Sequence, residues 1–138
     1  MNTLIYAVDD EENIRELYSI ALKSSGFDCR CFPDSISLFN ALKDAKPSLI
    51  LLDIMLNGDD GYKILTDLKA NNKYKDIPVI MVSAKGDEIA KVKGLDLGAN
   101  DYISKPFGLL ELVARIKANI RKTTDYIEYS YLDIIIVA

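Results

Sequence analysis

The chain has 138 residues, enough for one domain built around a single hydrophobic core. Hydrophobic residues make up 49% and charged residues 28% of it, a balance typical of globular proteins that argues against a disordered chain. A net charge of −4 gives no general attraction to nucleic acid, whose binding surfaces need clustered lysine and arginine. The apolar runs are too short for a membrane span, and the first residues do not form a signal peptide, so we expect a cytoplasmic protein without membrane association.

Short apolar segments alternate with segments of helical periodicity along the chain. The five predicted strands are "TLIYAV", "FDCRCF", "SLILL", "IPVIMV" and "DYIS". In the first predicted helix, Glu11 and Glu12 occupy the first turn and Gly26 ends the helix. Its predicted apolar face consists of Ile14, Leu17, Ala21 and Leu22.

The second helix is predicted to start after Pro33, with Asp34 or Ser35 as its cap, and to end before Pro47. Later helices are predicted over about 61–70, about 87–97 and 108–122. The last helix places on one face Leu109, Leu112, Val113, Ile116 and Ile120. Strict alternation of strand and helix predicts a parallel sheet covered on both faces, a three-layer α/β domain of flavodoxin-like type with five strands and five helices.

Acidic residues follow two of the predicted strands. Asp9 and Asp10 come directly after the first strand, and Asp53 comes after the third. Because ligands of parallel sheets sit outside the carboxyl ends of the strands, these three carboxylates should converge in one small volume. Crowded carboxylates stay ionised only with a cation among them, and Lys105 is the candidate fixed cation. This pattern indicates a divalent metal and phosphate chemistry.

The two cysteines lie two residues apart in the second predicted strand, at Cys29 and Cys31. Their side chains should face the same side of the strand, a placement too close and too regular for a usual disulfide. A metal site would need further ligands, and the chain contains no histidine. We interpret both as small core side chains in a reducing compartment.

Four polar elements, each at the end of a predicted strand, carry a family resemblance. They are Asp9-Asp10, Asp53, Ser83-Ala84 and Lys105-Pro106. In this order they resemble the receiver domain of two-component response regulators, over about residues 3–121. Residues 94–122 resemble the region from the fourth to the fifth receiver helix in the winged-helix, DNA-binding OmpR-type subfamily. The resemblance implies a receiver domain over 1–122, with 123–138 as a linker and the truncated start of a C-terminal DNA-binding effector domain.

The resemblance implies that Asp53 accepts a phosphoryl group from a sensor histidine kinase. Mg²⁺ prefers oxygen ligands and keeps several waters, so it would take Asp10, Asp53 and one backbone carbonyl, which the resemblance assigns to Met55. Asp9 would act mostly through water. Lys105 would pair with Asp53 at rest and with a phosphoryl oxygen afterwards.

The same resemblance implies a two-state switch, in which Ser83 moves toward the phosphoryl group and Tyr102 rotates inward. The face made by the fourth helix, the fifth strand and the fifth helix would then form a symmetric homodimer. Its candidate ion pairs are Lys91 with Glu111, Asp96 with Lys117, and Asp101 with Arg115. Exposed pairs contribute only ~0–1 kcal/mol each, so they should set register more than affinity. DNA would be bound only through the missing C-terminal domain.

Two other functions fit a fold of this type. The alternative to a switch is a Mg²⁺-dependent phosphohydrolase that acts on small molecules through an aspartyl-phosphate, but the chain lacks an Asp-x-Asp motif after its first strand. A flavin or nucleotide binder would need a glycine-rich loop at the same place, and none follows. We therefore expect no separate enzyme activity beyond self-catalysed phosphotransfer and dephosphorylation.

The chain departs from the family pattern at three positions. Asn57 stands where proline is usual, which predicts a less rigid loop after the acceptor. Asn100 replaces a frequent aspartate, and Lys122 stands where arginine is common, so one intersubunit ion pair should be lost. None of these changes removes the predicted phosphorylation chemistry.

Overall fold

Five parallel strands form the central sheet of the computed structural model, which describes residues 2–56, 58–84 and 88–121. The strands are β1 (Leu4–Val8), β2 (Asp28–Phe32), β3 (Leu49–Asp53), β6 (Val79–Ser83) and β7 (Asp101–Ser104). Two further strands of two residues each, β4 (Met55–Leu56) and β5 (Asp59–Asp60), form a separate antiparallel hairpin. The order in the main sheet is β2-β1-β3-β6-β7, and all neighbours are parallel.

Helices cover both faces of this sheet. They are α1 (Glu12–Ser24), α2 (Ser35–Asp44), α3 (Gly61–Ala70), α4 (Glu88–Asp96) and α5, residues 109–121. Buried side chains of α1 and α5 form one core cluster with the sheet, and buried side chains of α2 and α3 form the other. The predicted three-layer fold of five parallel strands and five helices is confirmed.

The strand register brings the polar strand ends to one edge of the sheet. Val8 pairs with Leu52, so the residues that follow them, Asp9 and Asp53, leave the sheet side by side. On the other side, Ser83 pairs with Ser104, and the backbone N–H of Lys105 donates to the carbonyl of Ser83 at 2.8 Å. All five residues of β3 are buried, as the apolar run "SLILL" predicts for a central strand.

Two predicted core positions are wrong. In α1, Leu17 is 37% exposed, and Tyr18 is buried in its place. Tyr18 stacks on the ring of Phe107 with centroids 5.9 Å apart, a contact that the helical spacing of aliphatic residues does not reveal. In α5, Leu109 is 41% exposed because it stands at the first residue of the helix, whereas Leu112 and Ile116 are fully buried.

Helix ends follow the predicted signals. The carboxylate of Asp34 accepts the backbone N–H of Ser37 at 2.8 Å, so Asp34 is the cap of α2. Gly26 and Gly98 follow α1 and α4 with φ of 90° and 107°, a conformation that glycine adopts without a side-chain penalty. Asp87 and the segment 123–138 lie outside the described residues. Among the described residues, no helix combines the length and apolar character of a membrane span.

Candidate functional site

Three carboxylates converge at the carboxyl edge of the sheet, as the strand ends predict. Asp9, Asp10 and Asp53 each place an oxygen atom within 4.8 Å of the others. Asp9 is fully buried and Asp53 is 5% exposed, whereas Asp10 is half-buried. A cluster of buried acids is unfavourable unless cations neutralise it, so the arrangement calls for positive charge.

Lys105 supplies positive charge from the end of β7. Its Nζ lies 2.7 Å from Asp9 Oδ2 and 3.3 Å from Asp53 Oδ2, and its side chain is 16% exposed. Burial alone would lower the pKa of Lys105, but the two carboxylates outweigh it and the net pKa is raised. The ammonium group therefore stays charged and bridges both acids.

The shorter of these two contacts was not predicted. The sequence interpretation pairs Lys105 with Asp53 and gives Asp9 a role through water, but the ammonium group lies closer to Asp9. To reach Asp9, the lysine side chain passes the ends of β6 and β3. Only the strand order could have revealed this contact, because the two residues are 96 positions apart.

Lys105 does not fully offset the effect of burial on the Asp53 carboxyl group. Burial raises the pKa of its carboxyl group to about 6, Lys105 opposes that shift and Asp9 adds to it. The backbone N–H of Met55 donates to Asp53 Oδ1 at 3.2 Å. The donor set is made of carboxylate oxygens, which are the ligands that a hard divalent cation such as Mg²⁺ prefers, so the residues fit such an ion.

Asp9 is held in place by its neighbours. The backbone N–H of Glu11 donates to Asp9 Oδ1 at 3.0 Å, and the backbone N–H of Asp9 donates to the carbonyl of Phe32, also at 3.0 Å. Arg15 Nη1 donates to the carbonyl oxygen of Asp9 at 2.9 Å. These contacts and Lys105 give Asp9 a fixed structural place in the site.

Asp10 faces an open cavity of about 440 Å³ beside the cluster. The cavity is lined by Asp10, Ile54, Met55, Leu56, Asp59, Asp60 and Tyr62. Met55, whose carbonyl is the third candidate metal ligand, therefore lies on the same cavity as Asp10. The cavity makes the Asp10 side of the acid cluster accessible from solvent.

The two predicted switch residues are both buried. Ser83, at the end of β6, has no exposed surface, and Tyr102 on β7 is 6% exposed. Tyr102 pairs with Met81 in the register and belongs to the core cluster on the α2 and α3 side. The sequence left open whether this tyrosine is a half-buried core residue, and in this structure it lies inward.

The predicted dimer face is exposed and partly apolar. On α4, Ile89, Val92 and Leu95 are 82%, 48% and 41% exposed. The charged candidates Lys91, Asp96, Glu111 and Lys117 are exposed as well.

Two of the predicted intersubunit partners already contact each other within the chain. Arg115 lies 3.0 Å from Asp101 and 3.1 Å from Glu111, and Asn119 donates to Asp101 at 3.0 Å. For Asp101 and Arg115 to pair across a dimer, each residue would therefore have to give up the contact that they make with each other within one chain.

Gly61 is a site residue that sequence analysis recognised only as a helix start. A Cβ atom on this residue would contact the carbonyl oxygen of Asp53 and would lie 2.6 Å from Ile54 Cα. The start of α3 therefore packs directly on the backbone that carries the candidate acceptor, and only glycine fits there. The repeated glycine in "NGDDG" was the available signal.

Of the three departures from the family pattern, Asn100 lies among the described residues. Asn100 accepts the backbone N–H of Val79 at 3.0 Å and Lys69 Nζ at 3.4 Å, so it holds the start of β6. Asn57 and Lys122 lie outside the described residues. The two cysteines are free and half-buried, with sulfur atoms 3.6 Å apart, and pack against the core cluster on the α1 side.

Comparison with known families agrees with this geometry. Residues 5–117 match the family model of the response regulator receiver domain. The chain therefore belongs to the response regulator receiver domain family, and the predicted resemblance is confirmed at that level.

One curated relative is a transcriptional regulatory protein. The chain is 46% identical over 119 residues to the phosphate regulon transcriptional regulatory protein PhoB of Pseudomonas aeruginosa, a match that covers 86% of this chain and 52% of that protein. The chain thus spans about half the length of this curated relative.

Solved structures show the same fold. NtrX from Brucella abortus is 33% identical with a TM-score of 0.86, over 96% of this chain and 30% of that one. The BeF3-activated N-terminal receiver domain of RstA from Klebsiella pneumoniae is 28% identical with a TM-score of 0.80, over 86% of this chain and 99% of that one.

Proposed function

We propose that this chain is the receiver part of a cytoplasmic, PhoB-like response regulator and that Asp53 is its phosphoacceptor. The observation that carries the proposal is the cluster of three carboxylates with Lys105 bridging two of them at 2.7 and 3.3 Å. Membership of the receiver family supports it, because such domains accept phosphoryl groups from sensor histidine kinases. The chain has no histidine, so the donor imidazole comes from outside it.

In the transfer, a carboxylate oxygen of Asp53 attacks phosphorus while the P–N bond to the donor imidazole breaks, and the imidazole nitrogen leaves with the electron pair. Lys105 pairs with a phosphoryl oxygen as it moves from Asp53, and the hydroxyl of Ser83 donates to another. Asp10, Asp53 and the Met55 carbonyl would hold Mg²⁺, with Asp9 acting through water. When bound, Mg²⁺ neutralises charge on the phosphoryl oxygens.

The output of the switch is dimerisation through the face formed by α4, β7 and α5. Exposed apolar residues on α4 support this proposal, since a monomer gains nothing from Ile89 at 82% exposure. Ser83 and Tyr102 link the site to that face, because Ser83 pairs with Ser104 of β7 and Tyr102 lies on β7 itself. DNA binding belongs to a C-terminal domain, which the relation to a transcriptional regulator supports.

The direct test is to incubate the chain with a small phosphodonor and Mg²⁺ and to measure its intact mass. We expect one added phosphoryl group, which disappears in Asp53→Asn and when the metal is chelated. Asp67→Asn is the matched control, because Asp67 is exposed on α3, pairs with Lys63 at 3.0 Å and is not among the residues that line the cavity beside the acids. Multiple turnover of diverse phosphate esters by the wild-type chain would instead favour a phosphohydrolase.

A further inference from the structure

A short hairpin carries one of the three candidate metal ligands. It consists of β4 and β5, in which Met55 pairs with Asp60 and Leu56 pairs with Asp59. The backbone N–H of Gly61 donates to the carbonyl of Ile54 at 3.0 Å and closes its base. Because the candidate ligand in Met55 is a backbone carbonyl, its position is set by the hairpin as a whole and not by a side-chain rotamer.

The hairpin is tied to a neighbouring helix by one carboxylate. Asp59 Oδ2 accepts the backbone N–H of Ser35 at 3.1 Å, and Asp59 Oδ1 accepts the Ser35 hydroxyl at 3.0 Å. Ser35 is the first residue of α2, where backbone N–H groups have no partner within the helix and the helix dipole favours an anion. The cap Asp34 is engaged with Ser37, so Asp59 is a second acid at this helix end.

We propose that Asp59 is a positioning residue, which locks the hairpin to α2 through Ser35 and so fixes the Met55 carbonyl for Mg²⁺. This inference rests on the proposed function. Asp59 itself lies on the same cavity as Asp10, but both of its oxygens are engaged by Ser35. Its role is therefore to hold the loop against the frame of the domain.

Ser35→Pro is the sharpest variant, because it removes both donors and leaves every charge in place. Proline is favoured at the first position of a helix, and the extended backbone of Asp34, with φ −155° and ψ 175°, is compatible with a following proline. We expect Mg²⁺ to bind about threefold to tenfold more weakly by calorimetry, less than the roughly 10–100-fold typical of a partner that touches a ligand directly. The phosphoryl lifetime on Asp53, followed by intact mass, should change as well.

Two further variants separate the clamp from general effects. Asp59→Ala should reproduce the loss, and Asp59→Asn should recover part of it, because its amide oxygen can still accept the Ser35 N–H. Asp67→Asn is the matched control. Asp67 lines the groove next to Ser35 and Asp59, but its ion-pair partner, at 3.0 Å, is Lys63 of the same helix and not a hairpin residue. It should bind Mg²⁺ like the wild type.

The outcomes are distinct. Wild-type Mg²⁺ affinity and phosphoryl lifetime in Ser35→Pro would overturn the positioning role, even if its melting temperature fell and even if Asp59→Ala bound Mg²⁺ more weakly, because Asp59→Ala also removes a charge from the cavity. A wild-type chain that neither binds Mg²⁺ nor accepts a phosphoryl group would overturn the proposed function itself. Weaker Mg²⁺ binding in Ser35→Pro, with its charge unaltered, would support the clamp.

Discussion

The acid site is held to the sheet by many buried contacts, whereas α4 is held by few. At the site, the fully buried Asp9 is held by Lys105 and by backbone donors, and α3 begins in direct contact with the Asp53 backbone. Along α4, the buried residues are the small Ala90 and Gly94. The neighbouring α3 buries Gly61, Ile64, Leu65 and Leu68.

This difference in packing suits two different tasks, phosphoryl transfer at the acid site and a conformational response at α4. Each large aliphatic side chain that is fully buried stabilises by roughly 1.5–3 kcal/mol, so α3 is fastened far more firmly than α4. Phosphoryl transfer needs groups held at fixed distances, whereas a switch needs an element that shifts at low cost. In the proposed function the two demands fall on different helices, α3 and α4, and variants can test whether that division holds.

The largest effect is expected from Gly61→Ala, which attacks the rigid region. The added methyl group would contact the Asp53 carbonyl and Ile54 Cα, both backbone atoms that cannot move aside cheaply. We expect a loss of about 3 kcal/mol in the free energy of unfolding, at the upper end for an overpacked position, together with weaker Mg²⁺ binding. Urea unfolding and calorimetry measure the two effects.

Gly108→Ala is the control, because no atom of the described residues, apart from Gly108 and its chain neighbours, lies within 4 Å of its added Cβ. It should stay within about 1 kcal/mol of the wild type. Equal stability of Gly61→Ala and the wild type would show that the start of α3 is not rigidly packed on the acceptor.

Lys105→Ala should separate metal binding from phosphoryl transfer. Its ammonium group competes with a metal ion for Asp9 and Asp53, so its removal should tighten Mg²⁺ binding by about threefold. Transfer from a small phosphodonor should slow by about 10- to 100-fold, because a cation that pairs with the phosphoryl group is lost. Calorimetry and the rate of mass gain measure the two parameters.

Lys63→Ala is the control for Lys105→Ala, since Lys63 is 74% exposed and pairs with Asp67 on the surface. It should change neither parameter. Phosphorylated Lys105→Ala should also signal poorly, so full dimerisation of that variant would contradict the role given to this lysine.

The strands and most helices could be predicted because local patterns determine them. The run "SLILL" is apolar throughout and lies at the centre of the sheet, and α3 spans the predicted residues. The acid cluster was predictable for the same reason, since parallel strands end at one edge. Tyr18 was missed because its burial depends on Phe107, a partner that is distant in sequence.

The finer contacts of the site depend on tertiary order, which local patterns do not carry. The hairpin of β4 and β5 has two residues per strand, too few for any periodicity to show. The contact between Lys105 and Asp9 requires the strand order, and the clamp between Asp59 and Ser35 requires the packing of a loop on a helix. These contacts appear only when the chain is folded.

The smallest effect on the unphosphorylated monomer is expected from Ile89→Ala on α4. Ile89 is 82% exposed, so its truncation should change the free energy of unfolding by less than about 0.5 kcal/mol. The matched variant Ile64→Ala on α3 removes a side chain that is 3% exposed and should cost about 2–5 kcal/mol. If α4 is the responding surface, Ile89→Ala should still weaken the phosphorylation-dependent dimer in light scattering, although the monomer is unharmed. If phosphorylated Ile89→Ala formed dimers as strong as the wild type, this part of α4 would not belong to the dimer interface. If the variant lost several kcal/mol of unfolding free energy, α4 would be packed as firmly as α3.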